Sequence, residues 1–588
     1  MNPLKLMINL LKKKGLSAYI IKISDPHLSE YISESDKYLE KVTGFTGSNG
    51  LAIISEKENV MYTDGRYFIQ ALEQLKDFKL KKYNIDEKVT EYLKNNFSES
   101  RIGIDKRMIS YSYMKDLKEE LKKAKIEIVH LNVNEIVTGL PERKFNTIID
   151  LEEVKVSDFF IKNSNPEIES KNLVALFNDN PEINTLLLNA HNVTGSRREE
   201  KIKSIREKLE HDALFVAQLD TIAWILNLRG NDIPYSPVFY AYLVIDRHNT
   251  TLFTDAELNI DNIQVKKYAE IEEELKKYEK IEISGECNSY LVELIKDFSF
   301  TDDLNEAKSI KNDVELEGIK LAHILDGAAL NLLFGWYEKN ANKITMTEKD
   351  MGGKLLSIKQ TIGGFKEESF GSICGSGKNA AIIHHEAGDN KINNEEILLL
   401  DSGSQYYFGT TDVTRTLHFG TPTKEEITNY TRVLKGFLLA KNIYIPQKTK
   451  LSAIDAIARV FLWQNQLNYE HGTSHGVGHF LNVHESPPEY NESLKPNQVL
   501  SIEPGYYLKD KYGIRIEDLV YVSKENDFLR FNSLTVVPFH MKLIDESMLT
   551  KEEINQINEY SKFVRNKLKD ILKGTDGYDY LMSNTEKI

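Results

Sequence analysis

Short runs of apolar residues broken by polar turns fill the start of the chain, and their length and alternation predict strands rather than long helices. SAYIIKI reads as a strand ending at Asp25, and GLAIISEKENVMYTDGRYFIQAL as two strands joined by a polar turn and followed by a helix. The order returns from position 213, where ALFVAQLDTIAWILNLRG and AYLVIDRHNTTLFTDAEL repeat strand, Asp, helix, strand, turn, strand, Thr-Asp. Asp25 and Asp64 lie 39 residues apart, Asp220 and Asp255 35 apart, so a duplicated α/β domain is expected.

Helical spacing appears elsewhere. An apolar run from Leu4 ends at Lys12, Lys13, Lys14 and Gly15, cations and a glycine that suit a helix C-terminus. Lysine-rich stretches at 113–125 and 265–280 read as helices with solvated charged faces. From about 311 a long helical pattern begins, with Val314, Ile319, Ala322, Ile324 and Ala329 as its buried stripe. Thr550 and Glu553 form a capping box ahead of an apolar face of Ile554, Ile557, Val564, Leu568 and Ile571, and the last fifteen residues read as frayed. The expected organisation is a first α/β domain at 1–155, a related second one at 156–311, a mixed α/β region at 312–522, and a C-terminal extension at 523–588 packed on that region or on a second subunit.

Composition changes this picture little. With 588 residues the chain is too long for one core, and 41% hydrophobic and 28% charged residues are ordinary for a globular protein. A net charge of −14 argues against nucleic-acid and anionic-membrane partners. The two cysteines, Cys287 and Cys374, lie in different regions and form no disulfide framework, which points to a reducing compartment. The lysines follow the first apolar run instead of preceding it, the wrong order for a signal peptide, and no apolar run approaches the roughly 20 residues that span a bilayer. A cytoplasmic location is expected.

The chemistry lies in the last third. ILLLDSGSQYYFGTTDVTRTL reads as a hairpin with its turn at Phe408 and Gly409, which sets Asp401 near Asp412 on paired strands. LSIEPGYYLKDKYGIRIEDLV has the same design, with a turn at Lys511 to Gly513 and Glu503 and Glu517 on its arms. A lone strand aspartate is ordinarily a cap or turn residue; four converging carboxylates repel one another unless cations neutralise them. Two divalent ions would do so, with His475 adding a nitrogen ligand. This oxygen-rich set suits manganese, cobalt or magnesium better than a structural zinc. Two such ions can hold a bridging water as hydroxide and polarise a carbonyl, the requirements of metal-assisted hydrolysis.

These motifs resemble those of the pita-bread metallopeptidases, the family of methionine aminopeptidase, prolidase and aminopeptidase P, and most of all its long three-domain Xaa-Pro aminopeptidase branch. The likeness runs through SDPHLSEYI, GFTGSNGLAII and YTDGRYFIQA, then NDIPYSPVFYAYLVI, then AAIIHHEAG, HGTSHG and NVHESP beside the two hairpins. It implies a mixed α/β fold: two related N-terminal α/β domains followed by a pita-bread catalytic domain. It implies that Asp401 chelates one ion, that Asp412 and Glu517 bridge two, and that His475 and Glu503 complete the other, the ions being Mn2+, with Co2+, Mg2+ or Zn2+ as alternatives. His384, His471 and His484, with Glu503, take the catalytic and proton-handling places. Arg66, His384, His475, His484 and Glu503 meet the substrate, and Arg415 orients a ligand. A homodimer is implied too, with Trp463 resembling an interface residue.

The implied reaction is hydrolysis of an N-terminal Xaa-Pro bond, a tertiary amide that enzymes relying on the substrate's backbone N–H handle poorly. The chain departs from the family pattern at His385, where tyrosine is usual, at Ser474, where glycine is usual, and at His479; which of His384 and His385 faces the substrate stays open. Competing readings are a prolidase acting on Xaa-Pro dipeptides and a non-catalytic binding module of the same fold, which would lack metal ligands. GTSHG at 472–476 matches a serine-hydrolase elbow but has no clear strand before it. GSICGSGKN at 371–379 fails as a phosphate loop, because Ser372 stands where the first glycine is needed and Asn379 where Ser or Thr is.

Overall fold

A computed structural model of the chain describes residues 3–154 and 193–588. The expected boundary between the two α/β domains, at 155 and 156, lies outside the described residues. The chain forms two compact units, Met1–Ile149 with Arg198–Asn305, and Asp150–Arg197 with Glu306–Ile588.

In the first unit the apolar runs become strands. Helix α1 (Pro3–Lys14) ends at Gly15, whose φ of +66° supplies the left-handed exit that a side chain would strain. Strands β1 (Ala18–Lys22), β2 (Leu51–Ser55), β3 (Val60–Thr63), β4 (Lys79–Lys82), β5 (Arg101–Ile104) and β6 (Glu127–His130) form a sheet in the order β4-β3-β2-β1-β5-β6. Strands β7 (Ala213–Val216), β8 (Tyr242–Asp246), β9 (Thr250–Phe253), β10 (Gln264–Lys266), β11 (Ile281–Ser284) and β12 (Phe298–Thr301) form a second sheet in the order β10-β9-β8-β7-β11-β12. Each strand has its counterpart six places later, and the pairings match in sense: β1 with β2 and β7 with β8 antiparallel, β1 with β5 and β7 with β11 parallel. The repeat read from the motifs is thus a repeat of topology. The lysine-rich stretch at 113–125 is a helix, α2 (Tyr111–Leu121), but the one at 265–280 is not one element. It divides into β10 and a short helix, α3 (Ile271–Leu275), because Val265 and Lys266 pair along β9.

In the second unit the long helix α4 (Asp313–Asn340) is capped by Asn312, with Glu315 returning to the Asn312 N–H. The expected stripe understates it. Leu321 to Leu330 is buried on every side, so α4 is a core helix, while Val314 at its start stays partly exposed. Helix α5 (Glu348–Lys359) follows. Strand β13 (Ile373–Ser376) pairs with β14 (Leu398–Tyr406), and β14 pairs along its other edge with β15 (Gly409–Leu417). Every residue of β14 and β15 is buried. Helices α6 (Lys424–Asn442) and α7 (Leu451–Trp463) lead to β16 (Val499–Ile502), the hairpin β17 (Gly505–Leu508) and β18 (Tyr512–Arg515), then β19 (Asp518–Glu525) and β20 (Phe528–Ser533). The tail forms α8 (Lys551–Leu572), with the Thr550 and Glu553 capping box in place, and α9 (Asp576–Ser583). The last fifteen residues are therefore not frayed: Thr575 caps α9, and Tyr580 and Leu581 are buried. Among the described residues no helix is long and apolar enough to cross a membrane.

Candidate metal centre

Register decides where the acids stand. Along the β14–β15 hairpin Asp401 faces Thr414 and Asp412 faces Gly403, so the two aspartates are diagonal neighbours on one face. Gly403 is required there: a Cβ would lie 2.2 Å from the Thr411 carbonyl. The turn falls at Tyr407 and Phe408, one residue earlier than the sequence suggests.

The glutamates come from where the β17–β18 hairpin leaves the sheet. Gly505 pairs with Arg515, Ile516 N–H donates to the Pro504 carbonyl at 3.2 Å, and Ile502 pairs with Asp518, so Glu503 and Glu517 lie opposite each other between two ladders. The hairpin turn is Lys509 to Lys511, with Asp510 at φ +62°, earlier than the expected Lys511 to Gly513. Glu517 N–H donates to the Thr414 carbonyl at 3.2 Å, which joins this hairpin to β15.

The HGTSHG segment runs beside β16. Val477 N–H donates to Val499, Ser501 N–H to His475 and Glu503 N–H to Thr473. His475 Nε2 therefore stands 3.4 Å from Asp412 Oδ2 and 3.5 Å from Glu503 Oε1. Ligand atoms of Asp412, His475 and Glu517 all lie within 4.8 Å of one another. Since a carbonyl only accepts, the 2.8 Å contact from His475 Nδ1 to the Gly476 oxygen places a proton on Nδ1 and turns Nε2 toward the acids.

Burial and mutual repulsion show in the protonation of the group. Burial pushes Asp401 up to about 7, Arg515 opposing and Asp412 adding to it. Burial, then Asp412, Glu503 and Asp401, hold Glu517 well above the usual carboxylate range, and burial raises Glu503 as well. His475 is pulled down by burial, but its contacts with Asp412 and Glu503 outweigh that and bring it to about 9. Asp401 Oδ1 is buried and has no hydrogen-bond partner among the described residues. Buried acids crowded in this way, one oxygen unsatisfied, beside an imidazole nitrogen, are a donor set that fits divalent cations.

Several residues the motifs did not single out hold the set in place. Arg515 Nη2 donates to Asp401 Oδ2 at 2.7 Å, Nε to Thr414 Oγ1 at 3.0 Å and Nη1 to the Tyr507 hydroxyl at 2.8 Å. Thr414 Oγ1 donates to Glu517 Oε2 at 2.7 Å, and Tyr507 OH donates to His471 Nε2 at 2.8 Å. The signal for Arg515 was its place two residues before Glu517, on the same side of an extended segment. His471 Nδ1 donates to the Gly472 carbonyl at 2.8 Å, so both its nitrogens are engaged; burial, then Arg515, holds it well below the usual histidine range and neutral. His484 packs edge-on against His475, ring centres 4.3 Å apart, and His384 is half-buried and close enough to act electrostatically on His471.

Other residues fall differently. Arg415 bonds the Glu517 carbonyl oxygen at 2.7 Å and the Asp518 carboxylate at 2.7 Å, so it holds the backbone of Glu517 and not its acid. Arg66 lies in the first unit, paired with both oxygens of Asp64 at 2.9 and 2.8 Å. Ser474 stands in irregular backbone without the strand–turn–helix of a nucleophile elbow. Trp463 is half exposed and donates to Asn468 at 3.0 Å.

Comparison with known proteins identifies the family. Residues 317–524 match the model of metallopeptidase family M24, and residues 527–588 that of the C-terminal region of peptidase M24. Residues 4–136 and 179–315 each match a creatinase/prolidase N-terminal domain model. A probable Xaa-Pro aminopeptidase P of Laccaria bicolor is 35% identical over 614 residues, covering 96% of this chain and 90% of the relative. The chain belongs to metallopeptidase family M24. An M24 relative from Dictyostelium discoideum, Xaa-Pro aminopeptidase 1, is also 35% identical, over 96% of this chain and 92% of its own. The crystal structure of an X-prolyl aminopeptidase from Caenorhabditis elegans, described as a cytosolic enzyme with a di-nuclear active site, superposes with a TM-score of 0.89 at 30% identity, over 100% of this chain and 99% of that one. The mixed α/β architecture of two creatinase-type domains and a pita-bread catalytic domain is thus that of an M24 peptidase.

Proposed function

We propose that this M24 peptidase is an aminopeptidase that cleaves the N-terminal Xaa-Pro bond of peptides with proline in second position. The observation that carries this reading is the convergence of Asp401, Asp412, His475, Glu503 and Glu517 on one buried site, in a chain similar over its whole length to Xaa-Pro aminopeptidases. Asp401 would chelate one ion, His475 and Glu503 the other, and Asp412 and Glu517 both. The ions, manganese by preference with cobalt, magnesium or zinc as alternatives, would supply the Lewis acidity that polarises the scissile carbonyl and activates water.

The chain's own groups do the rest. Glu503, beside His475 and bonded by the Ser501 hydroxyl at 3.2 Å, takes the proton of the attacking water. His484 and His384 contact the peptide, hydrogen-bonding its carbonyl and passing a proton to the proline nitrogen. His471, neutral and doubly bonded, contributes by holding Tyr507 and through it Arg515 and Asp401. Arg66 is kept as a proposed substrate contact. Domain limits of 1–155, 156–311, 312–522 and 523–588, a homodimer joined near Trp463 and a cytoplasmic location complete the reading, the last supported by the description of the worm enzyme.

The decisive assay adds manganese to chelated protein and compares Xaa-Pro-Xaa tripeptides with Xaa-Pro dipeptides. Tripeptide cleavage is expected; cleavage of dipeptides alone would make the enzyme a prolidase, and no cleavage of either would make it a binding module.

A further inference from the structure

His384 and His385 are adjacent, and the sequence leaves open which of them faces the substrate. They sit in a turn closed by His385 N–H donating to the Ile382 carbonyl at 3.1 Å. His385 Nε2 contacts Glu348 Oε2 at 2.8 Å, and Glu348, at the first turn of α5, is fully buried. The same carboxylate accepts from Ser376 N–H at 2.9 Å, Asn379 Nδ2 at 2.9 Å and Asn390 Nδ2 at 3.4 Å. Backbone bonds repeat the link, Glu348 N–H to Asn390 O at 2.9 Å and Lys349 N–H to Gly388 O at 3.0 Å. One carboxylate thus gathers donors from before the turn, within it and after it.

On the other side of His384, Ile383 offers its carbonyl to Arg515 Nη2 at 3.5 Å, the guanidinium nitrogen that also holds Asp401. Gly513 of β18 lies against the same loop, where a Cβ would be 1.8 Å from the Ala380 oxygen. His384 therefore stands between two anchored neighbours, one tied to the centre through Arg515 and one tied away from it through Glu348.

We propose that Glu348 and His385 form a positioning pair that fixes the turn presenting His384, so that His384 meets the substrate and His385 acts only through it. This rests on the Xaa-Pro aminopeptidase reading for the role of His384, while the anchoring of the turn does not.

The test uses full-length protein loaded with manganese. His384→Ala should lower kcat about 100-fold, the scale of a lost proton-transfer group, without loosening the turn. Glu348→Gln and His385→Leu should each lower kcat/KM about 10-fold, the scale of a lost supporting contact. The double variant should be no worse than either single, and His385→Gln, which keeps a donor toward Glu348, should recover most of the loss. Hydrogen exchange followed by mass spectrometry should show faster exchange at 377–391 in Glu348→Gln and His385→Leu, with the rest of the chain unchanged. The proposal is overturned if Glu348→Gln leaves both exchange and kcat/KM at wild-type values, or if His385→Gln is as impaired as His385→Leu. A wild type inactive on every Xaa-Pro peptide would count against the functional reading, and the exchange pattern would still decide whether Glu348 holds the turn.

Discussion

Arg515 is the residue on which most of the metal centre leans, since one guanidinium orients Asp401, Thr414 and Tyr507, and Thr414 in turn orients Glu517. A lysine keeps the charge but has a single nitrogen, so it cannot serve three partners in fixed directions. Arg515→Lys should therefore weaken metal binding about 10- to 100-fold, the usual cost of losing the groups that orient ligands. Manganese titration monitored by recovered activity and by calorimetry checks this, and unchanged affinity would show that Asp401 needs no such support. Ser474 makes the opposite case. It is no nucleophile, so Ser474→Ala should keep kcat within a few-fold of wild type and leave the metal stoichiometry alone. A collapse of kcat with metal retained would reinstate the serine-hydrolase motif.

At the scale of elements, the two six-stranded sheets share a strand order, and one buried histidine of the first repeat bonds to groups of the second. His27, in the SDPHLSEYI motif, is buried with Nδ1 on the Ala217 carbonyl and Nε2 on the Tyr268 hydroxyl, each at 2.7 Å, and burial lowers it from 6.5 to about 3. Because the folded value lies below the unfolded one, the unfolded chain binds the extra proton. The stabilising contribution is complete above about 6.5 and is lost as pH falls from there toward about 3. Unfolding of the first unit should follow that slope, and His27→Gln should flatten it; an equal slope in the variant would place the acid sensitivity elsewhere. This level was largely legible in the chain, because strand and turn chemistry is local: the repeat, the capping boxes and both acid-bearing hairpins follow from spacing within about twenty residues. The misreadings have physical causes of a different kind. The stretch at 265–280 reads as one helix because its pairing with β9 is parallel and so leaves no tight-turn signal, and the frayed tail becomes α9 because Gly335 and Gly577 let it approach α4 closely. The same limit applies at the site. Asp401, Asp412, His475, Glu503 and Glu517 are legible as motif residues, whereas Arg515, Tyr507 and Glu348 gain their importance only from partners up to more than a hundred positions away.

For the whole molecule, metal should act on one compact unit and not the other, since all five proposed ligands belong to the unit that holds Glu306–Ile588. A ligand that binds only the folded form stabilises it by mass action, by about 2.7 kcal/mol when present at 100 times its dissociation constant. For a unit of this size that corresponds to a rise in melting temperature of a few degrees, at roughly 1.5 °C per kcal/mol. Calorimetry of the chelated protein should resolve two transitions, and manganese should move one of them upward while leaving the other in place. Glu517→Gln supplies the control: it removes one proposed bridging carboxylate, keeps the Thr414 contact within reach of its amide oxygen, and should abolish both the shift and the activity. If manganese leaves both transitions where they are in the wild type, the buried acids do not bind it in the folded protein, and their raised protonation becomes a property of an empty core. If it moves both together, the two units unfold as one cooperative body.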